Sequence, residues 1–306
     1  MNRKIIKILI GILVLILFWY LFIKKYDYQI NFEVKTSPGT VYSRILSLKS
    51  WTYSNKNENI KLIEKKAFKN IKQKILFKDS IYEFNWKISS INDSVTKVKV
   101  FIKDVKHSLK QRFLIPIGKS KFVKKSTKFI DKFDIQLLEH LEKFRVKIVG
   151  KSQRPAYQSI IYLTFNANLP AKAYEMIKNV IYLTQYMHKH HIKKTGNPFI
   201  EVTHWDVQKN TMSCEFGFPV ETKEHYPQDS IVKVKHNLKA LPTLKAIYHG
   251  NYRFSDRAWF ALYNYANHHN IKIDNKPFEI YLNDPHNGGT ELDWQADVYM
   301  PLKIDN

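Results

Sequence analysis

The sequence predicts an α+β protein in three parts. An apolar N-terminal helix comes first, then a strand-dominated domain closed by a long helix, then a domain in which strand-helix-strand-strand is written twice. Three observations carry this reading: an unbroken run of 16 residues (8–23), all apolar but for Gly11 and Tyr20; a hydrophobic period that moves from 2 to about 3.6 between residues 60 and 144; and two similar hairpins about 80 residues apart.

The chain has 306 residues, enough for two domains of about 150 each. With 44% hydrophobic residues, 9 Gly and 11 Pro, it is neither disordered nor collagen-like. Its single cysteine, Cys214, excludes a disulfide framework and a multi-cysteine metal site. The net charge of +23 is unevenly placed: residues 1–146 hold 31 Lys and Arg against 12 Asp and Glu, whereas residues 147–306 hold 19 against 15. The basicity belongs to the first half.

Residues 1–25 read as a transmembrane anchor. The 19 residues from Ile5 to Ile23 contain one interruption, Lys7. At about 1.5 Å per residue they span roughly 28 Å, close to the hydrocarbon core of a bilayer. Phe18, Trp19 and Tyr20 suit an interfacial aromatic belt, and Lys24-Lys25 end the segment. A cleaved signal peptide is the rival, but no small-x-small site precedes Lys24. Orientation is almost a tie, because Arg3, Lys4 and Lys7 on one side balance Lys24, Lys25 and Lys35 on the other. A short charged tail is hard to translocate, which favours the N-terminus inside and the domains outside the cytoplasm.

Residues 26–146 alternate in short runs. Tyr28, Ile30, Phe32 and Val34 share one face of a first strand. Ser37-Pro38 then opens a helix carrying Val41, Ile45 and Leu48. Strands follow at 60–68, 71–77, 81–88 and 95–105, with Asn92-Asp93 as a turn. Ile130, Phe133, Leu137, Leu138, Leu141 and Phe144 mark a closing amphipathic helix over 127–144. This order, with the segment 30–45 and Trp51, resembles the START-like (SRPBCC, polyketide-cyclase-like) helix-grip fold. The resemblance implies an apolar cavity; the plainer alternative is a lysine-coated spacer. Lys65-Lys66, Lys72, Lys74, Lys97, Lys99 and Lys124-Lys125 fit attraction to anionic lipid better than to DNA. This half has only four Arg and no base-reading motif, so direct DNA binding is not expected.

Residues 147–306 contain the repeat. Asn197-Pro-Phe-Ile-Glu-Val precedes a turn and the strand 212–220, and Lys276-Pro-Phe-Glu-Ile-Tyr precedes a turn and the strand 294–302. Each hairpin follows a helix (171–191 and 255–269), and each helix follows a strand (157–166 and 243–249). Alternation puts Trp294, Ala296, Val298 and Met300 under the helices and Gln295, Asp297 and Tyr299 opposite. It assigns Phe278, Ile280 and Leu282 to the helix side, leaving Glu279 and Tyr281 with Asp297 in a shared cleft. Glu215 matches Asp297, each four residues before a strand-ending Pro.

Tyr248-His-Gly-Asn-Tyr252, Ala258-Trp259 with Leu262, Glu279-Ile-Tyr281 with Asp284-Pro285, and Ala296-Asp-Val-Tyr-Met-Pro-Leu302 together resemble the GyrI-like effector-binding domain of AraC- and MerR-type transcription activators. The resemblance implies a duplicated α+β fold whose central cleft takes hydrophobic, often cationic, small molecules. Some members of the family hydrolyse reactive molecules with a pocket Glu and an aromatic residue, a role that would fall here to Glu279. Candidate ligand contacts are Glu279, Tyr281, Asp297 and Tyr299, together with Trp259, Tyr248, Glu215 and Trp205. Two departures stand out: Asp297 replaces the usual Glu, and a membrane span and a START-like domain precede in place of DNA-binding helices. A binding protein, a hydrolase of small electrophiles and a protein-interaction module all remain open.

Other motifs fail. His188, His190 and His191, like His268 and His269, sit at helix C-terminal ends without carboxylates at ligand spacing, so no metal is expected. Gly118-Lys-Ser lacks the first P-loop glycine, since Phe113 stands there. No cofactor fingerprint appears, and Cys214 reads as core.

Overall fold

A computed structural model describes residues 3–48, 58–77, 80–283 and 288–303; Trp51 and the Asp284-Pro285 pair lie outside the described residues. The chain forms a mixed α+β structure with two antiparallel sheets and divides into two compact units, Met1–Ile91 with Val95–Leu138, and Asn92–Ser94 with Glu139–Asn306.

The first unit opens with α1 (Arg3–Phe18), whose last turn, Trp19–Ile23, widens to π geometry. No α1 residue is buried, and the 21-residue stretch Arg3–Ile23, with a mean hydropathy of 2.7 over an 18-residue window, is long and apolar enough to cross a membrane. The sheet that follows comprises β1 (Tyr28–Val34), β2 (Glu58–Lys66), β3 (Asn70–Phe77), β4 (Ser80–Ser90) and β5 (Thr96–Asp104), in the order β1-β5-β4-β3-β2. Helix α2 (Pro38–Leu46) starts with Pro in its first turn, where a missing N–H costs nothing. Helix α3 (Ser108–Leu114), which the apolar pattern does not announce, leads into α4 (Lys121–Leu141).

Alternation decides the two faces of this sheet. In β5, Val98, Val100 and Ile102 are fully buried, and in β4 so are Phe84 and Trp86. Phe129 and Phe133 of α4 meet Phe84 and Trp86 with ring centroids 5.1 Å apart in both pairs. Each such aromatic contributes about 1.5–3 kcal/mol through burial. The opposite face carries the lysines, some paired with acids: Lys72 reaches Glu83 at 2.9 Å and Lys97 reaches Glu33 at 3.4 Å.

Phe144 does not belong to the closing helix. The chain turns after Leu141, and Phe144 begins β6 (Phe144–Arg154) of the second unit. Its apolar side chain matched a helical position by coincidence of spacing. The unit continues with β7 (Tyr157–Asn168), α5 (Lys172–Lys189), β8 (Phe199–Asp206) and β9 (Thr211–Pro219). Then come β10 (Lys233–Leu238), β11 (Leu241–Gly250), α6 (Asp256–His268), β12 (Phe278–Tyr281) and β13 (Gln295–Pro301). The strands form one sheet in the order β10-β7-β9-β8-β12-β13-β11-β6.

That order forces curvature. β6 and β7 lie six strand positions apart, about 29 Å in a flat sheet, yet only Pro155 and Ala156 join them. Three peptide steps reach roughly 11 Å. The same holds for β10 and β11, joined by Lys239 and Ala240. The sheet therefore curls until its two edges meet in a continuous ribbon, where Leu238 pairs with Tyr157 and Leu241 with Arg154. A bulge opposite Lys245 and Ala246, with Gly150 at φ 100°, sharpens the bend.

Close approach between the neighbouring strands β7 and β9 is set at Gly217, which pairs with Tyr162. A Cβ there would lie 2.2 Å from the Ile161 carbonyl oxygen and 2.8 Å from Tyr162 Cβ. Gly217→Ala should cost about 1–3 kcal/mol of stability as β7 is pushed away. Thermal unfolding of the detergent-solubilised chain measures this, and an unchanged midpoint would contradict the tight β7–β9 spacing.

Candidate functional site

β12 is the point where the register decides the site. Glu279 pairs with Val298 and Tyr281 with Ala296, so both share the face that α5 and α6 cover. Phe278 pairs with Tyr299 and Ile280 with Asp297, on the inner face of the curl. This reverses the expected orientation of β12, and Glu279 and Asp297 do not face one another. The physical reason is that all four β12 residues are buried, Phe278 and Glu279 completely. A strand covered on both sides has no polar face by which hydrophobicity can orient it.

On the helix side, Lys172 from the first turn of α5 and Glu279 form an ion pair at 2.9 Å with both side chains at zero exposure. The Lys172 ammonium also donates to Ser255 Oγ at 2.5 Å and lies 4.6 Å from the Trp259 ring centre. Glu279 accepts further from Ser255 Oγ at 2.6 Å and from the Tyr281 hydroxyl at 2.5 Å. Burial, reinforced by the neighbouring Glu279, raises the Tyr281 phenol well above its ordinary value, so it remains a donor. Trp205 packs edge-on against Trp259 at 5.5 Å, and Tyr248 donates to the Asn251 carbonyl at 2.8 Å. Trp259, Trp205 and Tyr248 are thus buried on the helix side with Glu279, apart from Asp297.

Lys172 is the residue that sequence reasoning missed. A lysine in a first helical turn reads as solvent-facing. The available signal was positional: Asn168 and Asn251 each accept from a backbone N–H ahead of their helices, which aligns Lys172 with Ser255. Cys214 lies on this side, and burial raises its thiol to about 12.

The inner face gathers a different set. Phe199 and Phe278, in matching positions of the two hairpins, stack at 5.2 Å and 17° and are fully buried. Tyr157 stacks on Phe199 at 6.0 Å, and Tyr299 meets Phe278 edge-on at 6.4 Å. Ile160, Tyr162 and Ile280 complete the cluster. Around this floor stand three ion pairs: Arg154–Glu201, Lys235–Glu215 and Lys245–Asp297, each at 2.7 Å. The Lys235 ammonium lies 5.0 Å over Tyr162 and that of Lys245 lies 5.3 Å over Tyr299. Burial works against both charges, but Glu215 and Asp297 outweigh it and raise both lysines above their usual value. Glu201, Glu215 and Asp297 keep 21%, 14% and 15% of their side-chain surface, so the rim is reachable while the floor is closed. Burial raises Tyr157 to about 12, so it stays protonated near neutral pH.

The expected ligand contacts therefore split between two faces. Asp297, Tyr299 and Glu215 come together on the inner face, while Glu279, Tyr281, Trp259, Tyr248 and Trp205 lie behind the sheet. Among the described residues no group of three or more His, Cys, Asp and Glu could hold a metal ion.

No family model and no curated protein matches the chain. Among solved structures, the EcmrR C-terminal domain is 19% identical at a TM-score of 0.40, covering 52% of this chain and 98% of that one. A hydrolase from Listeria innocua is 9% identical at a TM-score of 0.30, covering 53% and 92%. The di-domain ARO/CYC StfQ of the steffimycin biosynthetic pathway is 9% identical at a TM-score of 0.24, covering 91% and 85%. At these values the likenesses carry no function.

Two outcomes are expected. Lys172→Met alone should cost about 3–5 kcal/mol by stranding the Glu279 charge, and adding Glu279→Gln should restore much of it. A double-mutant cycle by denaturant unfolding reads this coupling, and simple additivity would contradict it. Cys214 should resist iodoacetamide at pH 8 in the native chain and react once unfolded, as intact mass would show.

Proposed function

We propose that the protein is a membrane-anchored small-molecule-binding protein, its anchor formed by residues 5–23 and its binding domain by a duplicated strand-helix-strand-strand module of the GyrI-like kind. The ligand lies on the inner face of the curled sheet. One observation carries this reading: an aromatic floor of Phe199, Phe278, Tyr157 and Tyr299 that no helix covers, ringed by three partly exposed ion pairs. A core needs neither tyrosine hydroxyls nor carboxylates along its edge. Phe199 and Phe278 are fully buried, so in this proposal the curled sheet opens at its rim for a planar hydrophobic ligand to reach the floor, and a cationic group on it exchanges with Lys245 or Lys235 at Asp297 or Glu215. Such contacts contribute about 1–2 kcal/mol each when desolvated.

The hydrolytic alternative would require Glu279 to meet substrate. Its oxygens are taken by Lys172, Ser255 and Tyr281 in a fully buried setting, so the geometry supports binding over catalysis. The domain preceding it serves, in this proposal, as a START-like spacer or second ligand domain at the bilayer.

Titration of the detergent-solubilised chain with planar aromatic cations and neutral hydrophobes, followed calorimetrically, is the test. Saturable binding is expected, weakened about tenfold in Asp297→Asn, since a hydrogen bond to a charged group contributes about 1.5–3 kcal/mol. Binding that is indifferent to Asp297→Asn, Glu215→Gln and Tyr299→Phe alike would place the ligand elsewhere.

A further inference from the structure

The junction between α1 and its unit is chemically specific. Arg112 of α3 is 5% exposed and pairs with the buried Asp27 at 2.8 Å. Its remaining guanidinium donors go to the chain leaving α1: the Leu21 carbonyl at 2.7 Å, the Lys24 carbonyl at 2.5 Å and the Tyr20 carbonyl at 3.3 Å. The Tyr20 hydroxyl returns a bond to the Arg112 carbonyl at 3.2 Å. These last carbonyls have no partner within the helix, so Arg112 acts as their cap. The consequence is positional: α3 is held beside the aromatic end of the apolar helix.

The segment 105–117, which contains α3, exposes large apolar residues. Leu109 is 47% exposed, Phe113 60% and Ile117 60%, with Val105 at 41%. Leu109 and Phe113 lie one turn apart on α3, and Ile117 follows in the turn after it. Trp19, Phe22 and Ile23, next to the same junction, are also more than half exposed. Residues 105–121 contain Lys106, Lys110, Lys119 and Lys121 and no acidic residue. All four of these lysines are exposed.

We infer that Leu109, Phe113 and Ile117 form a second membrane contact, a wedge entering the headgroup–acyl boundary of the bilayer that α1 crosses, with the flanking lysines on anionic headgroups. The inference rests on the reading of α1 as a membrane span. An apolar segment with a cationic border, tied to the end of a span, is matched by an anionic lipid interface in both chemistry and depth. The wedge would give the domain a fixed tilt on the membrane, which a lone helix cannot do.

Single-cysteine labelling of the full chain in proteoliposomes tests this, because the buried native Cys214 escapes reagent. An environment-sensitive fluorophore is placed at Phe113→Cys, Ile117→Cys, Leu13→Cys and Ile91→Cys. Ile91 lies beyond the far end of the nine-residue β5, roughly 30 Å from the wedge. The expected result is quenching by brominated lipid at positions 13, 113 and 117 and none at 91. Quenching at 113 and 117 should rise when phosphatidylglycerol is added to phosphatidylcholine and fall at high salt. Quenching at 13 without quenching at 113 and 117 would overturn the wedge while leaving the anchor, and would assign the segment to a protein partner. No quenching at 13 would remove the anchor and the wedge together. Quenching at 113 that ignores lipid charge would overturn the role given to the lysines.

Discussion

The second unit depends on two links of two residues each. Pro155-Ala156 and Lys239-Ala240 join strands that the hydrogen-bond ladder places almost a full sheet apart. Nothing but curvature reconciles the two, and from curvature the rest follows. An inner face appears that no helix needs to cover, because the sheet closes over it. Phe199 and Phe278 stack at its centre because β8 and β12, the strands that carry them, are the two middle neighbours of the ladder. Gly217 must lack a side chain because β7 and Tyr162 close in on β9 there.

Curvature also separates two kinds of electrostatics that would otherwise be confused. Behind the sheet, Lys172 and Glu279 are wholly withdrawn from water, and each polar atom is met by a neighbour. Such a pair adds little net stability over an apolar core but makes half-occupancy very unfavourable. It fixes where α5 and α6 sit, because Lys172 and Ser255 begin the two helices and converge on one carboxylate. In the first hairpin the position matching Glu279 is Ile200, its direct partner across the strands, so a single charge serves both helices. On the inner side the pairs keep contact with solvent, where screening lowers what each contributes to stability and exchange with another cation is cheap. The first arrangement suits a lock and the second suits a site.

Much of this was legible in the chain, and what was not has identifiable causes. The 16-residue apolar run, the alternation of β3 and β5 and the paired Pro-Phe hairpins report strong, one-sided patterns. β9 and β13 are long enough for the period to put Glu215 and Asp297 on one face, as the register also does. Glu279 was misplaced because β12 is four residues long and covered on both faces, so Phe278 and Glu279 compete equally for the label of core. β10 escaped because an edge strand with exposed lysines and asparagine carries no alternation. Lys172 escaped because nothing local distinguishes a buried helix-start lysine from an exposed one; its meaning lies in a carboxylate 107 residues away.

The first unit shows how a charge can be used to fix geometry at a chain junction. A helix that ends in apolar surroundings leaves carbonyls without donors, and water reaches them poorly. Arg112 supplies several donors from one planar group, and Asp27 cancels the charge that would otherwise make its burial unfavourable. Asp27 in turn accepts from the Asp104 backbone N–H at 2.9 Å and the Ser108 hydroxyl at 2.6 Å, binding the end of β5 and the start of α3 into the same knot. The end of α1, the end of β5 and the start of α3 are therefore tied together at one point. Leucine at position 112 could fill the space but could not cap the carbonyls, and lysine would supply its donors from a single nitrogen in place of a planar fork. Arg112 thereby fixes α3 beside the end of α1 through four hydrogen bonds.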